Sequence, residues 1–462
     1  MAGATELPIA LDRTAGTPLR VQMEQQLRGA IRDGRLRAGD RVPSSRTLAD
    51  DLSVSRGLVQ ECYAQLQAEG YLTSQAGSAT RVAATAMGPR PRPAQKPASG
   101  TRPPMIADFA SGVPDLGCVP RTDWAWAIRE VCRTAPNSAF DYGDPQGEPV
   151  LREALAAYLR RVRAIDADAD QVVVCSGMAQ GLALVLRAVG PALVAVEDPG
   201  SLGTVAAAST PGSSVVPVPV DDLGIDVAAL TRTGARAVVV TPAHQWPTGV
   251  VLAPERRHAL VAWAREHDAL IIEDDYDAEF RYDRGPVGTL QGLAPTHAAA
   301  LGTVSKSLAP ALRLGWAVVP TAHVDAVTTA KRAADRATAG IDQLALALLI
   351  ESGRYDRHLR RMRAEYAGRR DTLVEAVAEC APRLRVTGLA AGFHAVAELP
   401  EGSDVTRLIE LAGERGVRLY SMDRYRSPGR PGPPQLVLGF GNLGRRAIRA
   451  GIEAIGDLLA TT

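Results

Sequence analysis

Hydrophobic positions follow two different rhythms along the chain, and the change between them divides it. Near the N-terminus Leu19, Met23, Leu27, Ala30 and Ile31 recur every three or four residues, which predicts an amphipathic helix ending at Gly34. Pro43-Ser44-Ser45 then offers caps for a short second helix through Leu52, and Ser53-Val54-Ser55 makes a tight turn into a third from Arg56 to Glu69. Two short helices across such a turn have the shape of a helix-turn-helix, with Ser55, Arg56 and Gly57 at the N-terminus of the second. Gly70 to Thr73 and Ala79 to Val82 bracket Gln75-Ala76-Gly77-Ser78, a small hairpin or wing. Periodicity alone favours a three-helix structural cap over a helix-turn-helix.

From about Asp108 onward short runs of valine and isoleucine alternate with helical stretches. The runs are Gln171 to Cys175, Ala192 to Val196, Ser214 to Val218, Ala237 to Val240, Ala269 to Ile272, Ala300 to Val304 and Leu314 to Val319. Continuous apolar strands between helices imply an α/β domain whose mostly parallel sheet is covered on both faces. Ligands of such sheets sit at the carboxyl ends of the strands, where this chain places its polar residues.

Between the two rhythms, Ala83 to Pro104 carries Pro89, Pro91, Pro93, Pro97, Pro103 and Pro104 with Arg90, Arg92, Lys96 and Arg102. This reads as a semi-extended basic linker, and sets expected domains at 1–82, 83–104 and 105–462. At 462 residues, 46% hydrophobic, 22% charged and a net charge of +1, the composition is that of a globular protein, and no bulk charge points to a polyanionic partner. The longest apolar stretch, near Gly181 to Val196, is broken by Arg187, Gly190 and Pro191, so no membrane span is expected. Glu6 and Asp12 with no apolar run fit no signal peptide, and a cytoplasmic location is expected. The 5 cysteines form no CxxC pair and the 7 histidines no HExxH spacing, so neither a disulfide framework nor a metal is expected. Lysine is scarce: only Lys96, Lys306 and Lys331 occur, so chemistry needing a primary amine has few places to sit.

Three strand ends carry that chemistry. Ser176-Gly177-Met178-Ala179-Gln180 opens a helix after the strand ending at Cys175, and a glycine turn at a helix N-terminus presents free N–H groups to a phosphate. Glu273-Asp274-Asp275-Tyr276-Asp277 follows another strand as an acidic cluster in need of a cationic partner. Ser305-Lys306-Ser307 follows a third, with Arg313 beyond. An amine, a carboxylate and a phosphate cup in one crevice are what pyridoxal phosphate requires: a Schiff base, a proton held on the pyridine nitrogen, and N–H groups around the phosphate.

On these motifs the chain from about Asp108 resembles a fold-type-I aminotransferase, and the first 82 residues resemble a GntR-type winged helix. Together they look like the MocR branch of GntR regulators. The likeness rests on Pro43-Ser44-Ser45-Arg46, Ser53-Val54-Ser55-Arg56, Tyr142-Gly143-Asp144-Pro145-Gln146-Gly147, Val196-Glu197-Asp198-Pro199-Gly200, His244-Gln245-Trp246-Pro247-Thr248-Gly249 and the acidic and lysine motifs above. It implies Lys306 as the Schiff-base lysine, Asp274 as partner of the pyridine nitrogen and Tyr276 as donor to the ring hydroxyl oxygen. It further implies a phosphate held by Ser176, Gly177, Met178, Ala179 and Gln180, by Thr303, Ser305 and Arg313, and by Tyr142 from the second subunit of a homodimer. Ser44, Ser45, Arg46, Ser55, Arg56 and Gly57 would meet an operator in double-stranded DNA.

Two departures separate the chain from working transaminases. Ser201 stands where an aromatic usually stacks on the pyridine ring, and Val437-Leu438-Gly439-Phe440 stands where an arginine usually grips the substrate carboxylate. Arg424, Arg426, Arg430, Arg445 and Arg446 lie near in sequence, and spacing does not choose among them. The expected function is a transcriptional regulator sensing pyridoxal phosphate, or an amine or amino acid through it, with at most slow transamination. The alternative is a pyridoxal-phosphate-dependent aminotransferase with an accessory DNA-binding domain.

Overall fold

The computed structural model describes residues 9–74, 79–84, 104–209, 212–277, 279–282 and 288–461. The wing tip at 75–78 and most of the expected linker lie outside them. Two compact units separate, Met1–Gly100 and Thr101–Thr462.

In the first unit α1 (Leu19–Arg32), α2 (Ser45–Asp51) and α3 (Arg56–Ala68) precede a two-stranded antiparallel ladder, Leu72–Thr73 on Arg81–Val82. Met23, Leu27, Ile31, Leu48, Val59, Cys62, Leu66, Leu72 and Val82 form its core. The predicted punctuation operates as chemistry: Ser44 Oγ accepts from Thr47 N–H at 3.1 Å and Ser55 Oγ from Leu58 N–H at 3.3 Å, so each serine closes a helix start. Gly34, just past α1, has φ +74°, the left-handed conformation that ends helices on glycine.

The second unit is built on an eight-stranded sheet. Its order is Val172–Cys175, Gly315–Val318, Ala298–Thr303, Leu270–Asp274, Ala237–Val240, Leu193–Asp198, Ser214–Asp221 and Gly224–Ile225. Only Gly315–Val318 and the edge strand Gly224–Ile225 run antiparallel to their neighbours. Successive side chains leave opposite faces and both faces are covered. Val173 and Cys175 join one apolar cluster while Val172 and Val174 join another, and Val239 likewise parts from Val238 and Val240. All seven expected runs are strands of this sheet.

A C-terminal layer follows, not foreseen from the pattern. It pairs an antiparallel sheet of Arg385–Thr387, His394–Glu398 and Gln435–Gly439 with the helices Arg354–Cys380 and Arg445–Thr461. Among the described residues no helix is long and apolar enough to cross a membrane.

Candidate functional site

The carboxyl ends of the central strands open into a cavity of about 440 Å³ that Lys306, Asp274, Tyr276 and Met178 line. Lys306 lies in the turn after strand Ala298–Thr303, and its Nζ donates to the Gly112 carbonyl oxygen at 2.5 Å. Burial pulls the amine below its usual range, against the opposing pull of Asp274 and Asp277. Asp274 ends the neighbouring parallel strand, in register with Leu301.

The three consecutive acids part ways here. Glu273 Oε2 accepts from Leu290 N–H at 2.6 Å, and Asp275 is paired with Arg163 at 2.7 Å. Buried oxygens of Glu273 (Oε1) and Asp274 (Oδ1) both have no hydrogen-bond partner among the described residues, but Asp274 alone of the three acids lines the cavity. Burial, then Asp275 and Asp277, push its carboxyl up to about 8. A buried carboxyl with an orphaned oxygen is set to meet a cationic donor.

At the other end of the cleft the helix Met178–Val189 begins after Gly177, whose φ of +99° only glycine adopts easily. A Cβ on Gly177 would stand 3.2 Å from the Arg313 guanidinium, and Arg313 itself donates to the Ser176 carbonyl. Thr303 Oγ1 and Ser305 Oγ are 2.9 Å apart in the adjoining turn. The Gln180 side chain serves the protein: Oε1 accepts from Ser176 N–H at 2.7 Å and Nε2 donates to Asp335 Oδ2 at 2.8 Å. Lys331, fully buried, holds the other oxygen of Asp335 at 2.5 Å.

Tyr276 donates to the His244 carbonyl oxygen at 3.1 Å, and burial beside Asp277 raises its hydroxyl far above the usual value. Tyr142 stands outside the cavity lining, 67% exposed, with the Arg336 guanidinium 4.1 Å from its ring centre. Ser201 lines the cavity but caps a helix, its Oγ accepting from Thr204 N–H at 3.2 Å.

Several lining residues were not assigned from sequence: Ser111, Gly112, Trp246, Tyr420 and Tyr425. Trp246 belonged to a named motif, but its place beside Tyr276 and Tyr425, with ring centres 5.8 Å from each, is set by the fold. The histidine spacing also hid a buried group: His244, Asp277 and His394 bring potential ligand atoms within 4.8 Å of one another. His244 Nδ1 pairs with Asp277 Oδ2 at 2.9 Å and Nε2 faces the Gly388 carbonyl at 3.1 Å, so neighbouring protein groups already engage both nitrogens.

In the N-terminal unit Ser44, Arg46, Ser55, Arg56 and Gly57 are exposed and Ser45 is half-buried. Arg56 Nε lies 3.4 Å from Ser45 Oγ, which draws the starts of α2 and α3 together. Neither Arg46 nor Arg56 has a carboxylate within ion-pair distance among the described residues.

Comparisons with known proteins agree with both units. Residues 104–430 match the family Aminotransferase class I and II, and residues 19–82 match Bacterial regulatory proteins, gntR family. The HTH-type pyridoxine biosynthesis transcriptional regulator PdxR of Corynebacterium glutamicum is 33% identical over 457 residues, 98% of this chain and 99% of the relative. The probable rhizopine catabolism regulatory protein MocR of Rhizobium meliloti is 32% identical, over 97% of this chain and 95% of its own. Among solved structures, Pyrococcus horikoshii kynurenine aminotransferase in complex with PMP superposes with a TM-score of 0.70 at 27% identity, covering 77% of this chain and 90% of that one. A gntR-type DNA-binding unit joined to an aminotransferase fold, with full-length likeness to these regulators, places the chain in the family of MocR/PdxR-type HTH transcriptional regulators.

Proposed function

We propose that this regulator holds pyridoxal phosphate at Lys306 and reports on the cofactor, or on an amine or amino acid that engages it, through its DNA-binding unit. The observation that carries the reading is the Asp274 carboxyl, buried at the back of the cleft with one oxygen unpartnered while the Lys306 amine enters the same cavity. The donor set fits the cofactor. Asp274 would hold the proton of the ring nitrogen, and the Tyr276 hydroxyl would turn its one proton from the His244 carbonyl to the ring hydroxyl oxygen. The amides of Gly177, Met178 and Ala179, the hydroxyls of Ser176, Thr303 and Ser305, and Arg313 would surround the phosphate, the Ser176 amide being given to Gln180. Gln180 acts by fixing the Ser176 amide, and Tyr142 of a second subunit in a homodimer would complete the cup. Bound there, the cofactor supplies a carbon that takes up amines reversibly and a ring that accepts electrons.

Residues 1–82 are read as the DNA-binding unit, 83–104 as linker and 105–462 as effector domain, at work in the cytoplasm. Arg46 and Arg56 read base edges of a double-stranded operator while Ser44, Ser45, Ser55 and the open backbone at Gly57 meet phosphates. Two such units in a homodimer call for two half-sites at fixed spacing. An effector shifts DNA binding only if its affinity differs between two arrangements of the protein.

The alternative, an aminotransferase with an accessory DNA-binding domain, draws on the same lysine and carboxylate. Against it stands Val437, fully buried against Val396 and Met422 at the position where the resemblance to aminotransferases implies the carboxylate-binding arginine. Transamination of common amino acids at roughly 1 per second or faster would favour that alternative. Gel-shift binding to the chain's own upstream DNA, with and without pyridoxal phosphate, tests the regulator reading: a cofactor-dependent change in affinity supports it.

A further inference from the structure

We propose that Arg424 selects the ligand of this cleft, an amine that also carries a carboxylate, by pairing with that carboxylate; the proposal rests on Lys306 being the amine-responsive site. Among the described residues Arg424 is the one arginine lining the cavity that Lys306 and Asp274 share.

Three of the four other arginines near it in sequence are engaged, and Arg446 does not line the cavity. Arg426 donates to Asp423 at 2.5 Å and to Gln435 at 3.0 Å, Arg430 lies 3.5 Å from Asp198, and Arg445 lies 3.3 Å from Glu365. No carboxylate comes within 4.0 Å of the Arg424 guanidinium among the described residues. An exposed guanidinium of this kind gives up little by exchanging water for a carboxylate, and its fork matches that group in two parallel hydrogen bonds.

The residue is also held in place. It sits in the single turn Met422–Tyr425, its guanidinium 5.7 Å from the ring centre of Tyr420. The Tyr420 hydroxyl is fixed on Asp108 Oδ1 at 2.9 Å, and Arg418 takes the other oxygen at 2.8 Å. On the far side, Gly200 N–H donates to the Tyr425 carbonyl and Ser427 N–H to Asp198 Oδ1, both at 2.9 Å, while the Tyr425 hydroxyl meets Ser111 Oγ at 3.0 Å. The turn is therefore pinned to the Asp198-Pro199-Gly200 loop and to the residue preceding Gly112, the acceptor of the Lys306 amine.

The adjacent strand cannot supply this charge. Val437 is buried under Met422 of the same turn, so a cationic group at this edge of the cleft comes from the turn. The one other cation of the lining among the described residues is Lys306, which the cofactor would occupy, and the remainder includes Asp274 and the aromatic faces of Trp246, Tyr420 and Tyr425.

The test uses the full-length chain loaded with pyridoxal phosphate and isothermal titration with pairs of probes differing only in the carboxylate: L-phenylalanine against 2-phenylethylamine, and L-alanine against ethylamine. The wild type should prefer the amino acid of at least one pair by roughly tenfold or more. Arg424→Ala should bring that ratio near one while the lysine-bound cofactor absorbance stays as in the wild type, and Arg424→Lys should restore part of the preference. A preference that survives Arg424→Ala overturns the assignment alone, as does a wild type that favours neither member of either pair. Loss of cofactor uptake in Arg424→Ala overturns it by placing the arginine in the cofactor cradle. A wild type that takes up no cofactor overturns the Lys306 reading, and this assignment with it.

Discussion

Lys306 Nζ donates to the carbonyl oxygen of Gly112 at 2.5 Å, a contact between residues 194 positions apart in the chain. It draws the loop at 110–112 over the strand end that carries the lysine, and Gly112, at φ +75°, sits where a side chain would be strained and its Cβ would crowd the Trp246 ring at 3.2 Å. Loop, lysine and tryptophan are thereby parts of one wall, which is why the cleft includes residues no local motif announces.

The state of Asp274 makes stability depend on pH. Its carboxyl is raised from an ordinary 3.8 to about 8 by burial and by Asp275 and Asp277. A raised carboxyl is protonated in the fold, so its contribution is whole below the unfolded value and is lost as pH rises through the folded one. The cofactor-free protein should therefore lose stability between about pH 5 and about pH 8, by on the order of 1 kcal/mol or more from this group. Asp274→Asn should flatten that loss, as read by thermal unfolding of the apo protein at both ends of the range, and should weaken cofactor binding at neutral pH. An equal pH slope in wild type and variant counts against the buried acid.

Behind the helix N-terminus, Lys331, Asp335, Gln180 and Ser176 form one line of contacts at 2.5, 2.8 and 2.7 Å. Lys331→Met or Gln180→Ala should loosen the phosphate cup and weaken pyridoxal phosphate binding roughly tenfold, leaving DNA binding by the N-terminal unit intact. Equilibrium titration of cofactor absorbance measures this. Unchanged affinity in both variants would mean the line is structural only.

Much of this arrangement was legible in the sequence, for a physical reason. The central strands are buried on both faces, so Val172 to Cys175 or Ala237 to Val240 stand out as unbroken apolar runs, and Ser44 and Ser55 announce helix starts by capping them. The C-terminal sheet lacked that contrast, because Arg385 to Thr387 is only partly buried and His394 to Glu398 is closed by polar residues at both ends. The choice among Glu273, Asp274 and Asp275 turned on partners from distant segments, Leu290 and Arg163, which no spacing reveals. Trp246 and Arg424 enter the cleft only because the chain folds segments more than a hundred residues apart onto one edge, and His244 meets Asp277 because the loops after two adjacent strands converge.

In the DNA-binding unit, Arg46→Ala should cost about 1 to 3 kcal/mol at a specific operator and relax its sequence preference, because an arginine fork distinguishes guanine edges. Competition gel shifts with operator variants check it. Normal affinity and selectivity in the variant would move the base-reading surface elsewhere.

Tyr142, exposed on its own subunit, should contribute to cofactor binding only across a dimer. The loaded protein should sediment as a homodimer at micromolar concentration, and Tyr142→Phe should weaken cofactor binding by about 1 kcal/mol, the scale of one lost hydrogen bond. A monomer that retains the cofactor contradicts the shared site.

The central claim is that Lys306 couples cofactor chemistry to DNA binding, and one measurement addresses it directly: operator affinity by fluorescence anisotropy for wild type and Lys306→Ala, each with and without saturating pyridoxal phosphate. The wild type should bind its operator with an affinity that changes on cofactor addition, while Lys306→Ala should bind DNA but give the same affinity in both conditions and lack the lysine-bound cofactor absorbance. An equal cofactor response in the two proteins, or none in a wild type that has taken up the cofactor, would contradict the account.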